Sequence, residues 1–148
     1  MYIDASVIVA ILNREHDAEH YKGILNSNLQ AGLISPVTIY EAAISLARAK
    51  ALLRGQKPTK DEIQAAFRSV HFFMTANGIK EIAIDAAIGK GAIKAAAVYG
   101  KVVGHPADLN FGDCFAYACA KAHNVSLLFK GNNFAKTDLA VADLKSLF

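Results

Sequence analysis

Four apolar runs, each only long enough for a strand, alternate along this chain with stretches of helical spacing, and that alternation restricts the fold more than any other feature. The runs are MYID (1–4), the LI of AGLISP (33–34), IKEIAI (79–84) and VSLLFK (125–130). Helical spacing fills 5–12, 16–29, 36 to about 53, 59–76, 85–101 and 111–123. Local signals agree with these limits. Ser6 offers a hydroxyl at the first helix start, Ser35-Pro36 reads as an N-cap with proline at the first helical position, and TKDE (Thr59–Glu62) is a capping box. Strands joined through helices need right-handed crossovers. The expected fold class is therefore α/β: a three-layer α/β/α sandwich with a mainly parallel central sheet. The helices of 36–76 form a pair that projects as a hairpin.

At 148 residues the chain fits one domain, 1–148. No apolar run approaches the roughly 20 residues of a membrane span, and no basic, leader-like segment precedes the first strand, so cytoplasmic residence is the expectation. Cys114 and Cys119 are five apart in one helical pattern, which suits buried free thiols better than a disulfide or a zinc pair. The net charge of +3 is compatible with a phosphate-bearing partner without requiring one.

In open parallel sheets, ligands bind beyond the carboxyl ends of the strands, so the informative residues lie just after a strand or early in the next helix. Three acids qualify. Asp4 ends the first strand ahead of an apolar helix, with no local cation to explain it. Glu41 stands about five residues into the helix that follows Pro36, inside VTIYEAAISLA, with Val37 and Ile44 on its face and Arg48 the first cation along the stripe. Asp113 opens the helix NFGDCFAYA, where Phe111, Phe115, Ala116 and Tyr117 imply a largely buried face.

Taken singly, Asp113 is an ordinary partner for a helix dipole, and Glu41 an ordinary snorkelling or Arg48-paired acid. Together they pose a problem of charge. Two carboxylates ~4 Å apart repel by about 4 kcal/mol at an effective dielectric near 20. A divalent cation resolves it, and Mg²⁺, which takes oxygen ligands and keeps several waters, matches an acid set without a His or Cys cluster. Such a metal acidifies a bound water and neutralises a phosphodiester in the transition state. The implied chemistry is phosphodiester hydrolysis.

YIDASVIVAIL, SPVTIYEAAISLAR and LNFGDCFAYACAKAHNVSLLFKGNNFAKTDL, in that order and at these separations, resemble a PIN-domain ribonuclease of the VapC toxin type. The resemblance covers nearly the whole chain. It implies a PIN-like fold and a Mg²⁺- or Mn²⁺-dependent endoribonuclease whose three recurrent acids fall on Asp4, Glu41 and Asp113. Ser6 matches a small hydroxyl residue that holds a metal water or orients the first acid. A homodimeric toxin, a cognate antitoxin protein covering the groove, and a structured RNA target such as tRNA are further implications. One departure concerns a fourth acid after the last strand, where this chain has Asn132 and Asn133. Asn offers a carbonyl but no charge, so a second metal binds more weakly unless Asp138 substitutes or RNA phosphate completes its shell.

For RNA contacts, Lys130 and Lys136 flank the site in sequence, and Arg48, Lys50 and Arg54 lie on or just past the Glu41 helix. His105 stays outside the catalytic set. Phe67, Phe72, Phe73 and Phe115 fall in helical apolar patterns and are expected in the core or an interface. The alternative from another class is a catalytically weak PIN-like module that binds RNA or a protein partner. A small-molecule phosphatase lacks a nucleophile, because Asp4 is followed by Ala and Ser.

Overall fold

The computed structural model describes residues 1–28, 30–139 and 141. Its sheet is built from very short strands. β1 (Tyr2–Ile3) lies parallel between β2 (Leu33–Ile34) and β4 (Leu127–Leu128), and β3 (Lys80–Glu81) adds to the far side of β2, giving the order β3-β2-β1-β4. Two-residue strands cannot hold a sheet by backbone bonds alone, so the helices on its two faces supply the stability. These are α1 (Ala5–Leu12), α2 (Ala18–Ser27), α3 (Pro36–Leu52), α4 (Lys60–Ala76), α5 (Ala86–Tyr99) and α6 (Phe111–Ala122).

Alternation along the strands divides the interior into two cores. Ile3, Ile34 and Leu128 point to one face, where Ile8, Ala42, Leu46 and Val70 from α1, α3 and α4 cover them. Tyr2 and Leu127 point to the other, against Ala92 and Ala95 of α5 and Ala116 and Cys119 of α6. Each fully buried aliphatic side chain contributes about 1.5–3 kcal/mol relative to exposure. The expected α/β/α sandwich with a parallel sheet is thus the fold observed.

Tyr2 does more than fill the second core. Its hydroxyl lies 2.7 Å from Ser35 Oγ and 2.7 Å from Thr38 Oγ1, all of them buried. Ser35 is the N-cap of α3, accepting from the Thr38 N–H at 3.4 Å, so this hydroxyl cluster fastens the start of α3 to the central strand. Glu41 is therefore carried on a helix registered directly against β1.

Several expectations need correction. Asp4, rather than Ser6, caps α1: the extended backbone at the strand end (φ −77°, ψ 155°) turns its carboxylate onto the Ser6 N–H. The second helix starts at Ala18, not His16, and ends at Ser27; Leu29 lies outside the described residues, as does 142–148 of the expected single domain. IKEIAI pairs only over Lys80–Glu81, although the Ile82 N–H still reaches Ile34 O at 2.8 Å. Short 3-10 turns at Lys101–Val103 and Phe134–Lys136 interrupt segments expected as helix end and loop. The hairpin of α3 and α4 forms as expected; Leu52 and Leu53 are exposed at its tip, and Arg54 and Glu62 pair at 2.6 Å across the turn. Cys114 and Cys119 are free and buried. Among the described residues, no helix is long and apolar enough to cross a membrane.

Candidate active site

Asp4 is buried at the carboxyl end of the central strand, where its own N–H continues the ladder to Leu128 O at 2.9 Å. The Ser6 N–H donates to Asp4 Oδ2 at 2.9 Å, and the Ser6 hydroxyl donates to the same oxygen. That hydroxyl in turn accepts the Lys130 backbone N–H at 3.0 Å, which ties the site to the residue that follows β4. Burial pushes the Asp4 carboxyl above the usual carboxylate range, and the two Ser6 bonds oppose that shift.

Glu41 reaches across from α3 to α6. Its carboxylate lies so close to Gly112 that a Cβ at position 112 would collide with both carboxylate oxygens. Burial first, and then the charges of Asp4 and Asp113, push Glu41 up to about 7. Asp113 occupies the third position of α6 and forms a capping box with Asn110. The Asn110 N–H donates to Asp113 Oδ2 at 2.9 Å, and the Asp113 N–H donates to Asn110 Oδ1 at 3.0 Å. Burial and the charge of Asp4 raise Asp113, while the Asn110 N–H and the side chain of Asn133 work in the other direction.

β1, α3 and α6 thus bring three acids that are far apart in sequence into one electrostatic field. Among the described residues, none of the three forms an ion pair with a Lys, Arg or His. The Arg48 considered as a partner for Glu41 is exposed further along α3, on a groove with Leu52 and Lys57.

The supporting residues divide. Ser6 and Asn133 touch the acids. Asn132 is exposed. Asp138, expected as a substitute fourth acid, accepts from the Tyr117 hydroxyl at 2.5 Å and from Lys121 Nζ at 2.9 Å, and these partners hold it down to about 2. Lys130, expected as an RNA contact, has its ammonium paired with Glu15 and Asp17 at 2.5 and 3.0 Å. Lys136 donates to Pro106 O at 2.9 Å and pins a loop. His105 Nδ1 accepts the Ala107 N–H at 3.0 Å, a loop-building bond.

Two contributors escaped the sequence. The Asn110-x-x-Asp113 spacing is a capping box and was legible as one. Gly112 carried no sequence signal, because its role depends on a side chain 71 positions away.

The donor set fits a hard divalent cation. Every candidate ligand is oxygen, the charges of Asp4 and Asp113 raise Glu41 and that of Asp4 raises Asp113, and among the described residues no cation pairs with them. Among the described residues, no three such side chains close around a metal by themselves. An ion that keeps several waters and takes one or two carboxylates needs no such cage.

A profile of the PIN domain matches residues 1–139, and the chain belongs to the PIN-domain family. Within it, the chain is similar to a VapC ribonuclease of Rhizobium meliloti, 42% identical over 139 residues that span 93% of this chain and 98% of the relative. Ribonuclease VapC42 of Mycobacterium tuberculosis is 33% identical over 142 residues, 96% of this chain and 98% of that one. Solved structures agree in fold. M. tuberculosis VapC20, described as a sarcin-ricin loop cleaving toxin, matches with a TM-score of 0.68 at 13% identity, covering 94% of this chain and 95% of its own. FitAcB from Neisseria gonorrhoeae matches with a TM-score of 0.66 at 18% identity, covering 96% of each chain.

Proposed function

We propose that this chain is the endoribonuclease toxin of a toxin–antitoxin pair, with Asp4, Glu41 and Asp113 as its catalytic and metal-holding carboxylates and Mg²⁺ or Mn²⁺ as cofactor. What supports the site is that Glu41 feels the charges of Asp4 and Asp113, and Asp113 that of Asp4, while none of the three has a basic partner among the described residues. VapC ribonuclease relatives aligned over almost the full length of both chains support RNA cleavage.

A divalent ion bound there supplies an acidified water and neutralises charge on the scissile phosphodiester. The chain's own residues do the rest. Ser6 fixes the orientation of Asp4 and is itself held by the Lys130 N–H, so one ligand is preorganised from two strands. Asn110 orients Asp113 in the same way. Glu41 completes the set from α3, and one of the three acids orients or deprotonates the attacking water. Asn133 adds an amide without charge, which favours one metal, or a second whose shell is completed by RNA phosphate.

A toxin–antitoxin complex from Klebsiella pneumoniae, matched with a TM-score of 0.61, supports an antitoxin partner, and the proposed place for it is the groove over the acids. A homodimer is supported by the exposed Ile93, Val98, Val102 and Val103 on α5 and the turn after it. A structured RNA such as tRNA, met in the cytoplasm, is the proposed target.

The test is incubation of the purified protein with total RNA, with and without chelator, followed by mapping of new ends. Cleavage that chelator abolishes and Mg²⁺ or Mn²⁺ restores is expected. Cleavage that survives chelation overturns the metal assignment. Binding without cleavage would instead establish the weak binding module, the alternative raised by Asn132 and Asn133.

A further inference from the structure

Beside the acids lies a small apolar hollow of about 250 Å³, lined by Pro36, Val37, Tyr40, Glu41 and Phe111. Tyr40 immediately precedes Glu41 on α3, and Phe111 stands two residues before Asp113 on α6. The two rings therefore border the carboxylates from two different elements. Both are unusually open for their size: Tyr40 is 66% exposed and Phe111 71%. The sequence implied a buried face around Asp113, and Phe111 departs from it. Its ring packs on Phe115, one turn on, with centroids 4.9 Å apart, which steadies it without covering it.

Resting on the ribonuclease reading above, we infer that Tyr40 and Phe111 form a stacking platform for one unpaired base next to the scissile phosphate. Three observations select a base over other parts of the substrate. Among the described residues no Lys or Arg lines the hollow, and the Glu41 carboxylate forms one wall, which repels a phosphate. The remaining walls are proline, valine and two aromatic rings, which suit a neutral planar group. The hollow shares Glu41 with the catalytic set, so the base next to a phosphodiester engaged at the catalytic site lies within reach of this spot. A base already stacked in a duplex cannot enter, which makes the platform a filter for single-stranded or loop nucleotides.

The test uses short single-stranded oligonucleotides spanning a mapped cut site, with Tyr40→Ala, Phe111→Ala, Tyr40→Phe and Phe111→Tyr. Base–aromatic stacking is worth about 1–3 kcal/mol per base, so each alanine variant should raise KM about tenfold with kcat changed less. The ring-preserving variants should stay near wild type. An abasic nucleotide beside the cut should impair wild-type cleavage by a similar factor and impair the alanine variants no further. In a separate binding arm, an oligonucleotide carrying 2-aminopurine is added to Asp4→Asn protein. Its fluorescence should be quenched, and addition of Tyr40→Ala or Phe111→Ala should relieve that quenching.

Unchanged KM and unchanged quenching in both alanine variants would overturn the platform. Failure of wild-type protein to cut any RNA would count against the ribonuclease reading, while the quenching arm still decides the stacking. Both rings are mostly exposed, so melting temperatures close to wild type are expected throughout.

Discussion

Two groups of acids meet at Lys130 and are treated in opposite ways. Its side chain is clasped by Glu15 and Asp17, and this pairing lowers the Asp17 carboxyl while raising the Lys130 ammonium. Its backbone N–H holds Ser6, which holds Asp4, and there the acids pair with no cation among the described residues and are raised instead. The first group is internally neutralised and belongs to the scaffold. The second has no such partner among the described residues, at the carboxyl end of a parallel sheet, so a counter-charge from outside would favour its ionised form.

The contrast is tested most severely at Asp4. Asp4→Asn should reduce RNA cleavage by about 100-fold or more, since even indirect partners of a bound metal cost 10–100-fold when removed. Differential scanning should also show that added Mn²⁺ no longer raises its Tm. The metal-free fold should be no less stable, because the substitution removes a buried charge at nearly constant volume. Wild-type cleavage by this variant would dissolve the contrast.

Gly112→Ala comes next. The added methyl displaces the Glu41 carboxylate, and a misplacement near 1 Å can cost on the order of 100-fold in rate. Cleavage assays and Mn²⁺ titration should both show the loss. An unaffected variant would mean that Glu41 does not depend on close approach to α6.

The third test is pH. Glu41 titrates near 7 in the fold against 4.5 for the free side chain, so between those values the folded state binds more protons than the unfolded one. Stability of the metal-free protein must then fall as pH rises through this window. The half-open position of Glu41 limits the effect to a Tm drop of about 3 °C between pH about 5 and pH about 8. Mn²⁺ at the higher pH should reverse it. A Tm that rises over this range without metal would show that paired acids dominate.

The smallest effect belongs to Lys130→Met, which strands Glu15 and Asp17. It should lower Tm by about 2 °C at neutral pH. Because Asp17 is held below its usual range, that deficit should shrink as the solution is acidified through the carboxylate range. KM for RNA should not move. A clear rise in KM would restore Lys130 to the RNA-binding surface.

Much of the fold was legible because its determinants are local. Ser35-Pro36, the Thr59–Glu62 box and the periodicity of α3, α4 and α6 placed helix ends within a residue or two. IKEIAI misled because alternation reports a half-buried strand, not how many of its residues find a partner at the sheet edge. The acids themselves were legible because charges at strand ends and on apolar helix faces are costly unless used. The partners of Lys130, Lys136 and Asp138 were not legible for a common reason: proximity in sequence to a site says nothing about which partner a side chain finds first.

The sequence alone determined the α/β alternation, the caps of α3 and α4 and membership of the family, and it singled out the three acids, all from short-range patterns and residue chemistry. Only the tertiary structure decided that Gly112 admits Glu41, that Tyr2 fastens α3 to the central strand, that Lys130 is neutralised, and that Phe111 stands open beside the acids. Each of these depends on the approach of elements that are remote in the chain, and the distance between packed elements is set by how whole faces interlock rather than by any local run of residues.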